Sequence, residues 1–542
     1  MRRKVMGKRA LAVGTLAALM LSAATGCGGT DEADSLTDNE TLEKEASGDA
    51  EMDFTVNMDG IVTGSISAGV SVHDPSVVLD NGKYYIIGTH MTMAGTDDLR
   101  TFNYIGNGYN YSNPVFGDLF KDADSKVFYY TGKKDSVVAT DDGGCHLWAP
   151  DIIYNKDNGL YYMYYCTSST WNASTLGFAT CETIDGMYEY GGDLIYSGIT
   201  KDTLEKTDVL SYVDESYAKS NYIKSDGSYN FDEYPNALDP TVFYDKDDRL
   251  WMVYGSWSGG IYLLELDKTT GQVIHPKADP ENGVDAYFGK KLLGGGHKSI
   301  EGPYILYDKD SDYYYLFVSY GGLASDGGYQ IRVFRSKDVY GDYVDMNGQK
   351  PELSDKDHYG FGLKLSGNYD LPSLKTAYKA TGHNSAFIDD DGKKYVVYHT
   401  RFASKGEYFE PRVKQYFLNE EGWPVMLPYP TDEETISENG YSAEEIAGRY
   451  YVDSLGLDIS KNISEPFIIY LDEAGNVYFE GRNGDVATGS YTVSDGSYYM
   501  HISYDGTDYS GVFCKQKDEA GTEVMTFTAC GANKTIWGVK YN

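Results

Sequence analysis

Residues 239–256 read Asp-Pro-Thr-Val-Phe-Tyr-Asp-Lys-Asp-Asp-Arg-Leu-Trp-Met-Val-Tyr-Gly-Ser: an acid beside a proline, a short apolar run, a polar turn and a second apolar run. That order predicts a strand, a hairpin turn and a returning strand. It recurs four more times, opening at Asp74-Pro75, Ala149-Pro150, Glu301-Gly302 and His383-Asn384, with a mean interval of about 77 residues. Such a period leaves room for four strands and long loops, and no single unit buries both faces of its sheet. The repeat therefore predicts a five-bladed β-propeller over 65–435. An array of β-sandwiches is the alternative, disfavoured because third strands follow the hairpins, from Gly260-Ile261 and from Gly328-Tyr329. After 441 the acid-proline opening is lost and short strands alternate with turns, which predicts a small all-β sandwich or barrel over 441–542. The whole chain reads as all-β.

Composition narrows the partners. The 542 residues carry 82 Asp and Glu against 46 Lys and Arg, a formal net charge of −36. Neutralising phosphates takes clustered cations, so a nucleic-acid partner is excluded and a neutral or cationic one expected. The 52 Tyr suit twisted strands, and the 61 Gly suit the tight turns between them.

Arg2, Arg3, Lys4, Lys8 and Arg9 precede an apolar run from Ala10 to about Ala24, too short for a comfortable membrane span, which predicts a secretion signal over 1–26. Ala24-Thr25-Gly26-Cys27 resembles the lipobox of bacterial lipoproteins. That resemblance implies a lipidated Cys27, ordinary signal cleavage being the alternative. Residues 27–64 read as a disordered acidic tether, with ten Asp or Glu and one Lys between 28 and 53. Loss of 1–26 removes five positive and no negative charges, leaving −41. The expected location is the bacterial surface or the exterior, with membrane contact only through the anchor, and the expected state is a monomer. The five cysteines after Cys27 form neither a disulfide framework nor a zinc site. Cys514 and Cys530 are left as a possible pair or as two buried thiols.

In a propeller the innermost strands line one channel, so repeat openings gather at one mouth. Those openings supply Asp74, Asp239, Glu301 and His383. Each acid taken alone could be a turn opener. Three in register on one repeat point instead to chemistry, because buried unpaired carboxylates are costly. Two carboxyl groups flanking a sugar serve glycoside hydrolysis, one protonating the leaving oxygen and the other activating water or attacking carbon. A third nearby raises the acid's pKa by repulsion. Trp148 and Trp257 are candidate sugar platforms or else ordinary core aromatics, and His383 is a structural histidine or a channel residue.

Six motifs carry a resemblance: Val72-His73-Asp74-Pro75-Ser76, His146-Leu147-Trp148-Ala149-Pro150-Asp151, Asn236-Ala237-Leu238-Asp239-Pro240, Gly255-Ser256-Trp257, Ser299-Ile300-Glu301-Gly302-Pro303-Tyr304 and Gly382-His383-Asn384-Ser385. Together they resemble glycoside hydrolase family 43, and within it most closely the endo-α-1,5-L-arabinanases that carry a C-terminal β domain. The resemblance implies inverting cleavage of internal bonds in arabinan, a neutral plant polysaccharide, or in arabino-oligosaccharides. Asp74 would be the general base, Glu301 the general acid and Asp239 the carboxylate that tunes and orients the acid. His73, Trp148, Asn236, Ser256 and Trp257 would contact substrate, His73 otherwise fixing the base. His383 would stand beside a calcium ion held mostly through water. The alternatives are an exo-acting α-L-arabinofuranosidase or β-xylosidase of the same family, and a non-catalytic surface glycan-binding lipoprotein. The last domain would bind carbohydrate or brace the propeller.

Other signals fail on their own terms. Asp308-Lys309-Asp310-Ser311-Asp312 opens like a calcium-binding loop, but Tyr313 stands where glycine is needed and Ser319 where glutamate is. Gly294-Gly295-Gly296 lacks the spacing of a phosphate loop, and neither HExxH nor GxSxG occurs.

Overall fold

The computed structural model describes residues 58–108, 113–117, 119–120, 126–132, 146–169, 173–351, 358–479 and 487–541. The secretion signal, Cys27, most of the tether and Cys145 lie outside the described residues. The end of the segment read as a tether is built into the fold: Met58–Gly60 forms a 3-10 turn, and Gly64 bridges Leu374 and donates its N–H to Ser373. Gly64 is thus paired to the loop that precedes blade five, through Ser373, Leu374 and Lys375.

Five antiparallel sheets follow in chain order, opening with the strands Ser76–Asp80, His146–Asn155, Thr241–Tyr244, Ile300–Asp308 and Tyr378–Ile388. Four are simple four-stranded meanders, and the third carries two additional short strands. The expected third strands appear as Ile261–Leu266 and Gln330–Ser336, each paired to the second strand of its blade. What binds the blades is the apolar surface between them. Separate cores join blades one and two (Met93, Leu147, Met163), two and three (Tyr164, Phe178, Met252), three and four (Val253, Leu263, Leu316) and four and five (Phe317, Val333, Tyr398). A fifth core, formed by Val77 and Ile86 with Val397 and Val413, closes the ring. Both faces of each sheet are thus covered, and only the short outer strands leave an edge.

The last domain is a closed eight-stranded barrel from Gly448–Leu455 to Lys534–Tyr541. Cys514 and Cys530 lie on adjacent strands, but Cys514 faces Thr526 and Cys530 faces Ser510, so they are four residues out of register and both thiols are free. The barrel and the propeller share one core: Leu455, Val512, Trp537 and Tyr541 pack with Tyr369, Tyr398 and Trp423.

One backbone feature repeats at every blade. Asp74, Ala149, Asp239, Gly302 and His383 all take left-handed φ, between 36° and 56°. Four of the five precede proline, which disfavours that conformation, so the strain has to be held by neighbours. In four blades the N–H of this residue is bonded by the preceding blade. Asp74 donates to His399 Nδ1 at 3.3 Å, Ala149 to Thr89 Oγ1 at 3.1 Å, Gly302 to Asp239 Oδ2 at 3.1 Å and His383 to Ser319 Oγ at 2.7 Å. The register also corrects an alignment. Gly302, not Glu301, is the counterpart of Asp74, Asp239 and His383, because Gly302-Pro303 corresponds to Asp-Pro. Glu301 stands one residue earlier, and successive strand residues point to opposite sides, so it reaches the channel from a different direction.

Candidate active site

Asp74, Asp239, Glu301 and His383 converge as expected and are almost fully buried. Asp74 Oδ1 lies 2.8 Å from His73 Nδ1 and 3.1 Å from His383 Nδ1, while Oδ2 accepts a bond from the Thr89 hydroxyl. Burial alone would raise this carboxyl, but the two histidines outweigh it and hold Asp74 well below the usual carboxylate range. Thr89 is itself pinned by the Ala149 N–H. Oδ1 also has His399 Nδ1 at 3.5 Å, so it faces three imidazoles, and with Oδ2 accepting once, one lone pair of Oδ2 remains for a further donor.

Glu301 sits in the opposite environment. Its Oε2 accepts from Ser256 Oγ at 3.0 Å and from the Trp257 indole N–H at 2.8 Å, and its Oε1 accepts from the Tyr329 hydroxyl at 2.8 Å. Burial raises its pKa despite the opposing pull of His383 and of the Tyr329 and Ser256 hydroxyls. Asp239 is pushed up to about 7, first by burial, which His383 opposes, and further by the charges of Glu301 and Asp74. Its Oδ2 bonds the Gly302 N–H, one residue from Glu301. Asp74 is thus shifted toward the ionised form and Glu301 and Asp239 toward the protonated form, the opposite tuning that acid–base catalysis uses.

His383 is lowered by burial but raised further by Asp74, Asp239 and Glu301, to about 9. Gly302 lies beneath its ring, where a Cβ would come within 2.9 Å of His383 Cγ, so glycine is required both for the left-handed turn and for this contact. Among the described residues the three-ligand cluster whose donor atoms converge is His73, Asp74 and His399, rather than one containing His383. Calcium needs six to eight oxygens. The acidic surroundings of His383 fit a cation there, provided that water supplies most of its shell.

The expected substrate contacts divide. His73 braces the base: its Nδ1 faces Asp74, its Nε2 lies 3.4 Å from Arg401 Nη1, and Glu407 holds Arg401 at 2.7 Å. Asn236 Nδ2 donates to the Ser256 carbonyl at 3.0 Å, and Ser256 and Trp257 bond the acid, so these three support Glu301 directly or at one remove. The Trp257 ring is half-buried near His297. Trp148 is half-buried against the core between blades two and three.

Thr89, Tyr329, His399 and Arg401 were missed by sequence reasoning. One signal was available: each hairpin's second strand has a hydroxyl within two residues of its end, at Thr89, Thr167, Ser256, Ser319 and Thr400, and three of these bond Asp74, Glu301 and the His383 N–H.

Known proteins resemble the chain across both domains. Residues 216–424 match glycosyl hydrolases family 43, and residues 428–538 match a C-terminal lipocalin-like domain. An extracellular endo-α-(1→5)-L-arabinanase of Thermotoga petrophila is 36% identical over 484 residues, which span 86% of this chain and 93% of the relative. The extracellular endo-α-(1→5)-L-arabinanase 2 of Bacillus subtilis is 36% identical over 490 residues, 87% of this chain and 93% of that one. The crystal structure of the endo-1,5-α-L-arabinanase from T. petrophila RKU-1 superposes with a TM-score of 0.75 at 35% identity, covering 89% of this chain and 100% of its own. Relatives at this identity, matched over nearly their whole length by a propeller and barrel in the same order, show that the chain belongs to glycoside hydrolase family 43.

Proposed function

We propose that the chain hydrolyses internal α-1,5-L-arabinofuranosidic bonds of arabinan with inversion at the anomeric carbon. The observation that carries this reading is the opposite tuning of Asp74 and Glu301 on blades one and four of one channel. Glu301 donates its proton to the glycosidic oxygen as the bond from C1 to that oxygen breaks. Asp74 accepts a proton from the water that attacks C1 from the other side, so each carboxyl ends in the other's starting state and solvent exchange resets both. Asp239, when ionised, opposes the ionisation of Glu301 by repulsion, and it holds the backbone beside it. The arabinanase names of the relatives support arabinan as the substrate.

Two measurements test this on linear arabinan. Viscosity should fall well ahead of reducing-end release, and early NMR spectra should show the new reducing end in the β configuration. Arabinose as the sole early product would indicate exo action, and an α product would refute inversion.

Calcium belongs to the same reading. Set beside His383, with water supplying most of its shell, the ion would add positive charge to a channel lined by three carboxylates. Chelation should lower both activity and melting temperature, restored by added calcium; no response in either measurement argues against a needed ion. The N-terminal residues support export with a lipid on Cys27, and the extracellular relatives support export itself. Action as a monomer is part of the same reading.

A further inference from the structure

Two buried residues outside the proposed catalytic set stand between base and acid. His399 lies within the second strand of blade five, Lys394–Phe402, and is 0% exposed. Its ring stacks on His73 with centroids 3.7 Å apart and, on a longer spacing of 5.8 Å, on Tyr329. Tyr329, also 0% exposed, delivers its hydroxyl to Glu301 Oε1. Three near-parallel rings therefore form a continuous path from the residue that braces Asp74 to the residue that bonds Glu301. Gly382 lies against the Tyr329 ring, leaving no room there for a side chain.

Each end of the path has a directional bond. At the base end, His399 Nδ1 accepts the Asp74 N–H, securing the left-handed turn at blade one. Two other blades use a hydroxyl for this task, Thr89 and Ser319. Here an imidazole does it, and its Nε2 finds no partner among the described residues. A buried unpaired N–H is destabilising, so a residue kept only for packing would be better apolar. At the acid end, Ser256 and Trp257 use both in-plane lone pairs of Glu301 Oε2, and Tyr329 takes one of Oε1. A carboxylic acid has about four such sites. The proton of Glu301 is thereby directed to the remaining site on Oε1, on the side that Tyr329 leaves open.

We propose that the stacked rings of His73, His399 and Tyr329 are a positioning element, with His399 fixing the backbone of the base and Tyr329 aiming the proton of the acid. This rests on the assignment of Asp74 as base and Glu301 as acid.

The test uses the full-length chain, a linear arabino-oligosaccharide and an arabinotrioside with a dinitrophenolate leaving group, which departs without protonation. Tyr329→Phe keeps the ring and loses only the hydroxyl. It should lower kcat on the oligosaccharide by about 10- to 100-fold with KM little changed, while on the dinitrophenyl substrate it stays within about threefold of the parent. His399→Phe should lose activity by a similar factor on both substrates, since base action is needed for either. His399→Asn, whose side-chain oxygen can accept the Asp74 N–H, should recover most of that loss. Equal losses on both substrates for Tyr329→Phe, or no loss at all, overturn the proposal, as does His399→Asn behaving like His399→Phe. If His399→Phe does not fold, the Tyr329→Phe comparison decides. A parent enzyme that does not invert would refute the base and acid assignment itself, whatever the variants do.

Discussion

Glu301→Gln should lower kcat on linear arabinan by about a thousandfold or more while leaving KM within a few-fold. Glutamine preserves shape and most of the bonds from Ser256, Trp257 and Tyr329, so binding persists and only the transferable proton is lost. The leaving group again separates roles. A dinitrophenyl arabinotrioside should restore much of the activity of Glu301→Gln and little of that of Asp74→Asn, because the first variant lacks an acid and the second a base. Full hydrolysis of arabinan by Glu301→Gln would remove it from the mechanism.

The same assignment fixes the sign of the pH response. Activity requires Glu301 protonated and Asp74 ionised, so it should fall as pH rises through the elevated pKa of Glu301, whereas the acid limb lies far lower because Asp74 is depressed. Repulsion between Glu301 and Asp239 acts on both partners. Asp239→Asn removes one negative charge, lowers the Glu301 pKa and should move the alkaline limb of kcat/KM to lower pH. An unmoved or raised limb contradicts the tuning role.

What the sequence made legible follows from what a repeat encodes. Strand order, hairpin turns and the channel-facing carboxylates are properties of one blade, and each repeated five or three times over. Contacts between blades are not. Asp74 and His399 lie 325 residues apart and meet only because blade five closes on blade one. Tyr329 reaches Glu301 from just before the third strand of its own blade, where the repeat grammar marks nothing but a glycine-rich entry. The one-residue offset of Glu301 escaped for a related reason: Glu-Gly-Pro looks like an acid-first opening, and only the left-handed φ of Gly302 reveals which residue occupies the turn. Trp257 reads equally well as a platform or as a core residue until its indole N–H is seen bonding the acid.

Removing the barrel should leave an insoluble or inactive propeller, which distinguishes a brace from a detachable carbohydrate-binding module. The barrel segment 456–462 presents its carbonyls to four buried propeller side chains. Arg332 donates to Leu457 at 2.7 Å, Lys364 to Gly456 at 2.7 Å, Gln330 to Asp458 at 3.0 Å, and Asn368 to Ser460 at 3.0 Å and Asn462 at 3.2 Å. Arg332 is 0% exposed and Lys364 6%. Truncation after 435 would remove all of these carbonyls, leaving Lys364 without the acceptors named here and Arg332 only with Gln330 and the carbonyls of Phe361 and Gly362. It would also uncover the core in which Trp537 and Tyr541 pack against Tyr369, and leave the Met426 carbonyl without the Trp537 indole that bonds it at 2.7 Å. Gly328 and Gln330, which contact this barrel segment, flank Tyr329 directly. Disorder there reaches the acid within one residue. Residues 1–435 should therefore accumulate in the insoluble fraction, and any soluble part should fail on arabinotriose as well as on polymer. A soluble propeller that cleaves arabinotriose at the parent rate and loses only polymer binding would instead make the barrel a separate module.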